Sequence, residues 1–359
     1  MTSMIDFMLI LAICATATTC TAQCPYDSFT WVNNGQDNPY FWKSPSFDWN
    51  ATATLAVFGD ITSTPERIEM RDYAHSIGKK VVYATSPDGV IDMNNADERK
   101  SWIDGQIAYV KDQKLDGINI DYEGHEPSKT DGFNTVVVEL CNAIHEAIPG
   151  SQVSVDVGIY PEYEGRNYDY KSIAEACDSL FIMAYDGEFW LNVQCALMPD
   201  VDCSNACAPL QAVEHGVQKY IERGVPPKKM FLGLPWYGLS YEFVAGVPIM
   251  THQVRYQDIV NAIDKAKQAG KGSVKMDEAS STMIFDCDGR CSQWMPDVMK
   301  DGSSQIWYDD PISLGPKYAL ATKYGLQGVG MWEATKVDYD PKAKTGVADA
   351  MWDSLCQRL

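Results

Sequence analysis

Short runs of β-branched and aromatic residues alternate with helical patterns along most of this chain, and this alternation restricts its fold strongly. Several of the eight predicted strands are nearly continuous apolar runs, as is typical of parallel strands covered by helices. The predicted strands are Phe29–Asn33, Thr54–Phe58, Lys80–Ala84, Gly117–Glu123, Gln152–Ile159, Ser179–Tyr185, Met230–Trp236 and Gly328–Trp332. The predicted helices are Pro65–Ile77, Ala96–Gln113, Gly132–Ile148, Leu210–Arg223 and Lys317–Tyr324. Eight such units in about 300 residues favour an α/β fold, the (β/α)8 TIM barrel, over an open sheet.

One interval is too long to be a loop of such a barrel. About ninety residues separate Trp236 from Gly328, whereas a loop between a strand and the next helix usually has about two to six. We therefore predict an insertion between strand 7 and strand 8, from about Leu239 to Asp310. We expect it to pack on the barrel and to form a wall of the active-site face.

The N-terminus has the features of a secretory signal peptide. Residues 7–14 form an apolar run, and small residues follow it as far as Ala22. The run is too short to span a bilayer, which takes about 20 apolar residues. Cys20 and Ala22 place small residues at the cleavage-recognition positions. We expect cleavage before Gln23, so that residues 1–22 are the signal peptide and residues 23–359 form one catalytic domain.

The cysteines are consistent with an oxidising compartment. Nine of the 11 remain after this cleavage, and we expect disulfides for most of them, with at least one left unpaired. Three residues separate Cys203 from Cys207, and three separate Cys287 from Cys291, so pairing within each segment is the simplest interpretation. A four-cysteine zinc site is the alternative. We predict no metal and no cofactor, because secreted cysteines usually pair with each other.

The charge of the chain excludes some partners. It has 29 Lys and Arg residues against 49 Asp and Glu residues, which gives a net charge of −20. Non-specific binding of nucleic acids or anionic lipids needs the opposite sign. We therefore predict neither a nucleic acid nor a membrane as partner.

The fourth predicted strand carries acidic residues where a barrel strand normally points apolar side chains inward. Every second side chain of a strand faces the same side, so Asn119, Asp121 and Glu123 share one face. One of two adjacent carboxyl groups is expected to keep its proton near neutral pH, and protonation of a glycosidic oxygen requires such a group. From the alternation alone, other interpretations stay open: solvated acids at a strand end, a helix cap, or a calcium site.

This segment, from Asp116 to Glu123, resembles the DGxDxDxE signature of glycoside hydrolase family 18, with Asn119 in place of the usual aspartate. Three later stretches resemble other motifs of the family and occur in the family's order. They are Met183–Asp186 for MxYD, Gly233–Gly238 for GxPxYG, and Gly330–Trp332 for the tryptophan motif of the eighth strand. The resemblance spans nearly the whole mature chain.

A second set of stretches resembles a lysosomal branch of this family, which acts on the chitobiose core of glycoproteins. They are Tyr73–Ser76, Asp116–Asp121, Ile173–Asp178, Pro235–Gly238, Gln305–Asp309 and Gly328–Trp332. Asn119 is similar to what that branch carries. We therefore interpret it as a marker of the branch and not as a loss of function.

The resemblance implies a retaining hydrolase in which the 2-acetamido oxygen of the substrate attacks the anomeric carbon and gives an oxazolinium intermediate. It implies that Glu123 is the general acid and then the base, and that Asp121 orients the acetamido group. Asn119 would hold Asp121 by a hydrogen bond, and Tyr185 would contact the acetamido oxygen. The expected substrate-binding residues are Asp186, Trp332, Met183, Trp236 and Tyr237.

Three functions fit this resemblance. The first is cleavage of GlcNAc-β-1,4-GlcNAc from the reducing end, in N-linked chitobiose cores and small chitooligosaccharides. The others are a secreted endochitinase or endo-N-acetylglucosaminidase, and a non-catalytic chitin-binding lectin, against which Glu123 argues. We favour the first, as a monomer that binds a GlcNAc-containing oligosaccharide in the lysosome, with the extracellular space as the alternative. The sequon Asn50-Ala51-Thr52 would lie on the surface if it were glycosylated.

Overall fold

The computed structural model describes residues 24, 26–33, 38–124, 126–186, 204–340, 342 and 346–356. The predicted signal peptide, its cleavage site before Gln23, and Cys203 lie outside these residues. No helix in the described part of the chain is long and apolar enough to cross a membrane.

Eight parallel strands form a closed barrel, which confirms the (β/α)8 fold predicted from the sequence. These strands are β1 Asp27–Val32, β2 Thr52–Val57, β3 Lys80–Thr85, β4 Gly117–Ile120, β5 Gln152–Val157, β6 Ser179–Met183, β7 Met230–Pro235 and β13 Gly328–Trp332. They follow one another around the barrel in chain order, and the pairing of Asp27 with Gly328 closes the ring.

Three of the strands end at least two residues earlier than predicted. β4, β5 and β6 end at Ile120, Val157 and Met183, two or three residues before the predicted ends. The chain leaves the sheet there, although Asp121 still donates its N–H to the Thr85 carbonyl at 2.9 Å. The acidic residues therefore begin the loop at the carboxyl end of β4, where barrel enzymes build their active sites.

Helices cover the outside of the barrel. They are Pro65–Ser76, Ala96–Asp112, Pro127–Ala147, Tyr170–Ala176, Leu210–Glu222, Pro311–Tyr324 and Val347–Leu355. The third and sixth begin five and six residues before the predicted starts at Gly132 and Lys317. Pro127 and Pro311 stand in the first turn, where a missing N–H costs nothing. The sequence pattern predicts neither the short fourth helix nor the last one.

Aromatic rings fill the interior of the barrel. The ring of Phe181 packs against Phe29 and Trp31, with centroids 5.2 and 6.1 Å apart. Gly233 and Gly330 make room for it, because a Cβ at either position would collide with the Phe181 ring. The barrel is therefore packed, and an open site can exist only at its ends.

Acidic residues at the amino ends of two strands have a structural role. Asp116 accepts the Val81 N–H at 2.7 Å, and its Oδ2 lies 2.8 Å from His75 Nε2. Asp178 forms the same arrangement with Val153 and His145. Each carboxylate thus ties a preceding helix to the sheet, at the end of the barrel away from Asp121.

The long interval between β7 and β13 forms a second, antiparallel sheet with the order β10-β11-β12-β8-β9. Its elements are β8 Tyr237–Val244, β9 Val247–Arg255, helix Tyr256–Gln268, β10 Ser273–Asp277, β11 Thr282–Asp286 and β12 Gln305–Tyr308. An insertion between strands 7 and 8 is therefore confirmed. Its sheet begins at Tyr237, two residues before the predicted boundary at Leu239.

The cysteine predictions have mixed outcomes. Cys287 and Cys291 form a disulfide, as expected, and are therefore not available as zinc ligands. The predicted pairing of Cys203 with Cys207 is wrong, because Cys207 is a buried thiol whose sulfur donates a hydrogen bond to Asp186. Two further disulfides join residues distant in sequence, Cys24–Cys356 and Cys141–Cys177.

The Cys24–Cys356 disulfide closes a loop over 332 residues and joins the two ends of the described chain. In the chain-entropy account, a cross-link stabilises more when it closes a longer loop. We expect the double variant Cys24→Ser/Cys356→Ser to lose about 2–5 kcal/mol of stability, measured as a lower midpoint of thermal unfolding. The matched control is Cys287→Ser/Cys291→Ser, whose loop spans only 4 residues. An equal loss in both variants would contradict this explanation.

Candidate functional site

A cavity of about 310 Å³ lies at the carboxyl ends of the barrel strands. It brings together residues of β5, β6 and β13 and residues that follow β2, β4, β5 and β6. Its lining residues are Phe58, Asp121, Glu123, Asp156, Gly158, Tyr163, Glu164, Met183, Tyr185, Asp186 and Trp332. Six of the residues that the sequence singles out, Asp121, Glu123, Met183, Tyr185, Asp186 and Trp332, are therefore found in one cavity.

The two acidic residues that follow β4 differ in their exposure. Asp121 is half-buried, whereas the Glu123 side chain is 58% exposed at the rim. Burial and the charge of Glu123 raise the pKa of Asp121 to about 7, and the Arg166 guanidinium opposes this shift. A carboxyl group that keeps its proton near neutrality thus lies directly beside a solvent-accessible one.

Asn119 contacts a different carboxyl group from the one expected. Its amide Nδ2 donates to Asp156 Oδ1 at 2.8 Å and to Ser154 Oγ at 3.0 Å. Asn119 Oδ1 and Asp121 Oδ1 have no hydrogen-bond partner among the described residues. The expectation that Asn119 holds Asp121 through a hydrogen bond is therefore not met, because the amide of Asn119 is directed to the neighbouring strand β5.

Two residues of the inserted sheet form hydrogen bonds with the Asp186 carboxylate. The Tyr237 hydroxyl donates to Asp186 Oδ1 at 2.5 Å, and Gln253 Nε2 lies 3.3 Å from both carboxylate oxygens. Burial raises the pKa of Asp186, and these hydrogen bonds counteract the shift. Tyr237 is completely buried and does not line the cavity, so its predicted role in the cleft is corrected to that of supporting Asp186.

Tyr185 and Trp332 both line the cavity wall. Burial and the charges of Asp156 and Asp121 raise the pKa of Tyr185 well above its usual value, so its hydroxyl keeps its proton. Trp332 packs edge-on against Trp31 and Phe58, with centroids 5.4 Å from each. Its ring is thus fixed at the wall of the cavity and half-buried.

The prediction that Trp236 lines the cleft is wrong. Its indole is completely buried, packs against Trp352 and donates to the Tyr318 hydroxyl at 3.2 Å. Strand alternation explains this outcome, because Phe231 points into the barrel and a residue five positions later must point outward. Trp236 therefore joins the barrel to its surrounding helices.

A family model described as Glycosyl hydrolases family 18 matches residues 75–337 of this chain. The chain belongs to glycoside hydrolase family 18. Di-N-acetylchitobiase from Rattus norvegicus is 32% identical over 341 residues, which cover 89% of this chain and 85% of the relative. Di-N-acetylchitobiase from Homo sapiens is 32% identical over 342 residues, with 89% and 81% covered.

Solved structures of family 18 chitinases share the fold. A chitinase from Chromobacterium violaceum has a TM-score of 0.68 at 18% identity, and the match covers 92% of this chain and 98% of that one. A class V chitinase from Nicotiana tobaccum in complex with NAG4 has a TM-score of 0.67 at 17% identity, with 92% and 99% covered. Together with the relatives, the family assignment makes this protein a glycosidase of the chitobiase and chitinase type, which hydrolyses chitin-related glycosides.

A cationic residue that no sequence pattern singles out contacts this family 18 site. Arg166 is 1% exposed, and its Nη2 donates to Glu123 Oε2 at 3.0 Å and to Glu164 Oε2 at 2.7 Å. It lies in the loop after β5, where strand alternation gives no information. Tyr163 of the same loop donates to the Asp186 backbone carbonyl at 2.8 Å, so this loop contacts both the segment after β4 and the segment after β6.

Proposed function

We propose that this enzyme is a retaining glycosidase that cleaves GlcNAc-β-1,4-GlcNAc from the reducing end, in N-linked chitobiose cores and small chitooligosaccharides. One observation carries the proposal: a half-buried carboxyl group, Asp121, and an exposed one, Glu123, line one cavity just after β4. Two adjacent carboxyl groups in different environments can take different acid–base roles.

In the first step, Glu123 donates a proton to the glycosidic oxygen as the bond to the anomeric carbon breaks. The 2-acetamido oxygen of the same sugar attacks that carbon from the other face and forms an oxazolinium ion. In the second step, Glu123 takes a proton from water, and the water oxygen attacks the anomeric carbon. This breaks the bond from that carbon to the acetamido oxygen and opens the oxazolinium ring. Attack occurs twice at the anomeric carbon, so the product keeps the β configuration.

Asp121 stabilises the positive charge that develops on the acetamido group. Its carboxyl is less exposed than that of Glu123, and burial strengthens electrostatic interactions. Tyr185, which keeps its hydroxyl proton, donates a hydrogen bond to the acetamido oxygen and directs it toward the anomeric carbon. Asp186 binds a sugar hydroxyl, and Trp332 and Met183 pack against the sugar ring.

The size of the cavity supports a short substrate. At about 310 Å³ it lies at the lower end of the usual range for ligand sites, roughly 300–1,000 Å³. Two relatives that cover most of the chain carry the name di-N-acetylchitobiase. Both observations favour a chitobiose unit over a long chitin chain.

We further propose that the enzyme acts as a monomer in the lysosome, after removal of residues 1–22. The resemblance to the lysosomal branch supports this location, and the net charge of −20 suits an acidic compartment. Asn50 is exposed in the structure, which is compatible with glycosylation of its sequon.

The stereochemistry of the first product tests the mechanism. ¹H NMR during early hydrolysis of chitotriose should show the β anomer at the newly formed reducing end before mutarotation. Appearance of the α anomer first would show inversion and would overturn the substrate-assisted mechanism.

Replacement of Arg166 should change the pH dependence of turnover. The acidic limb of kcat/KM reports protonation of essential carboxylates of the free enzyme. Arg166 lowers the pKa of Asp121, which acts as a carboxylate, so in Arg166→Met this pKa rises above about 7 and the acidic limb moves to higher pH. Arg99→Met is the control, because Arg99 pairs with Glu139 on the outer helices. A limb that stays in place in Arg166→Met, or moves equally in both variants, would contradict the role of Arg166.

A further inference from the structure

Asp156, on the strand next to Asp121, is a buried acid that the mechanism above does not use. It is 3% exposed, lies on the inner face of β5 and lines the cavity. An acidic side chain in this position is costly unless it interacts with its neighbours. Its fixed partner is Asn119, whose Nδ2 donates to Asp156 Oδ1 at 2.8 Å.

The hydrogen bonds around Asn119 indicate where a proton is needed. Its amide nitrogen is used by Asp156 and Ser154, which turns its carbonyl oxygen away from them. That Oδ1 and Asp121 Oδ1 are both buried acceptors without a partner among the described residues. Buried polar atoms are nearly always hydrogen-bonded. A proton on the carboxyl pair supplies the donor that this arrangement lacks.

We propose that Asp156 is a positioning residue for Asp121, and that these two buried carboxyl groups hold one proton between them, aligned by Asn119. This inference rests on the proposed function, because it assigns Asp121 its protonation partner in that reaction. When the acetamido N–H donates to Asp121, the shared proton resides on Asp156, and no proton leaves the site. Asn119 stands on β4 where the family 18 signature usually has an aspartate. Asp156 thus provides the second carboxyl group from β5 instead.

The charges around the pair agree with this assignment. Burial and the charge of Asp121 raise the pKa of Asp156 well above its usual value, while the Asn119 hydrogen bond opposes the shift. Glu123 on the β4 side raises it as well, and Arg166 from the loop after β5 lowers it. Tyr185, after β6, faces the same group and stays neutral. Two adjacent buried carboxylates would repel each other, so a single negative charge is the stable state.

The proton can be counted without substrate, by infrared difference spectroscopy at neutral pH. The carbonyl band of a protonated carboxyl group should be weaker in Asp156→Asn than in the wild type, because the variant lacks one of the two carboxyl groups that hold the proton. The exchange variant Asn119→Asp/Asp156→Asn returns a carboxyl group to the pair and should regain the intensity of this band. Asp178→Asn, at the other end of the barrel, is the matched control and should keep it.

Turnover provides a second measurement. Asn119→Asp alone places a carboxylate against Asp156 and should lower kcat about tenfold or more, whereas the exchange variant should recover most of this loss. An unchanged band in Asp156→Asn, or no recovery in the exchange variant, would overturn the inference. Failure of the wild-type enzyme to hydrolyse GlcNAc oligosaccharides would instead overturn the proposed function and leave the proton count valid.

Discussion

Replacing Glu123 by Gln is expected to lower kcat on chitotriose by about 10³-fold or more, because the leaving oxygen then receives no proton in the transition state. Binding should persist, since the amide keeps the shape of the side chain and Arg166 stays paired with Glu164. The measurement pairs initial rates with calorimetric titration of the inactive variant by chitotetraose.

Two comparisons isolate the proton donor. Glu164→Gln removes the other carboxylate bound to Arg166 Nη2 and leaves Glu123 in place. It therefore measures the loss of an ion pair with Arg166 without the loss of the proton donor, and we expect kcat to fall about tenfold or less. An aryl glycoside with an acidic leaving group needs little protonation, so Glu123→Gln should recover part of its cleavage rate on that substrate. Equal losses in Glu123→Gln and Glu164→Gln would contradict the assignment of Glu123.

Asp121→Asn should lower kcat/KM by about 10²–10³-fold, because the amide keeps the size of the side chain but cannot balance the charge on the acetamido group. An activated aryl leaving group should not reduce this loss, since Asp121 assists the attack and not the departure. The rate loss in Glu123→Gln should therefore depend on the leaving group, whereas the loss in Asp121→Asn should not.

Asp116→Asn is the matched control for this variant, because Asp116 precedes β4 and bonds His75 and Val81 away from the cavity. It should lower the thermal unfolding midpoint and leave kcat nearly unchanged. If the aryl substrate restored Asp121→Asn as fully as Glu123→Gln, Asp121 would not act on the acetamido group.

The sequence predicted the barrel because the strands of a parallel sheet are apolar on both faces and helices separate them regularly. It predicted that Asp121 and Glu123 lie at the active-site end because they stand at the carboxyl end of an apolar strand, which is a local property. Alternation along β7 also predicts that Trp236 points away from the cleft, because it lies five positions after Phe231, which points into the barrel. Helix starts were less predictable, since Pro127 and Pro311 are equally compatible with a loop.

The remaining site residues depend on contacts between distant parts of the chain. Arg166 lies 43 residues after Glu123, in a loop without a repeating pattern. The link from Asn119 to Asp156 crosses between two strands and depends on their register, which pairs Asn119 with Ser154. Gln253 reaches Asp186 from the inserted sheet, over 67 residues. None of these contacts follows from local spacing, so only the folded structure reveals them.

The proposed reaction is tested most directly by analysing the products of purified protein with chitotetraose, labelled at the reducing end, at mildly acidic and neutral pH. We expect labelled GlcNAc monomer and unlabelled chitotriose as the first products. Disaccharides as the first products would contradict reducing-end cleavage and indicate an endochitinase, and binding without cleavage at either pH would contradict catalysis by Glu123.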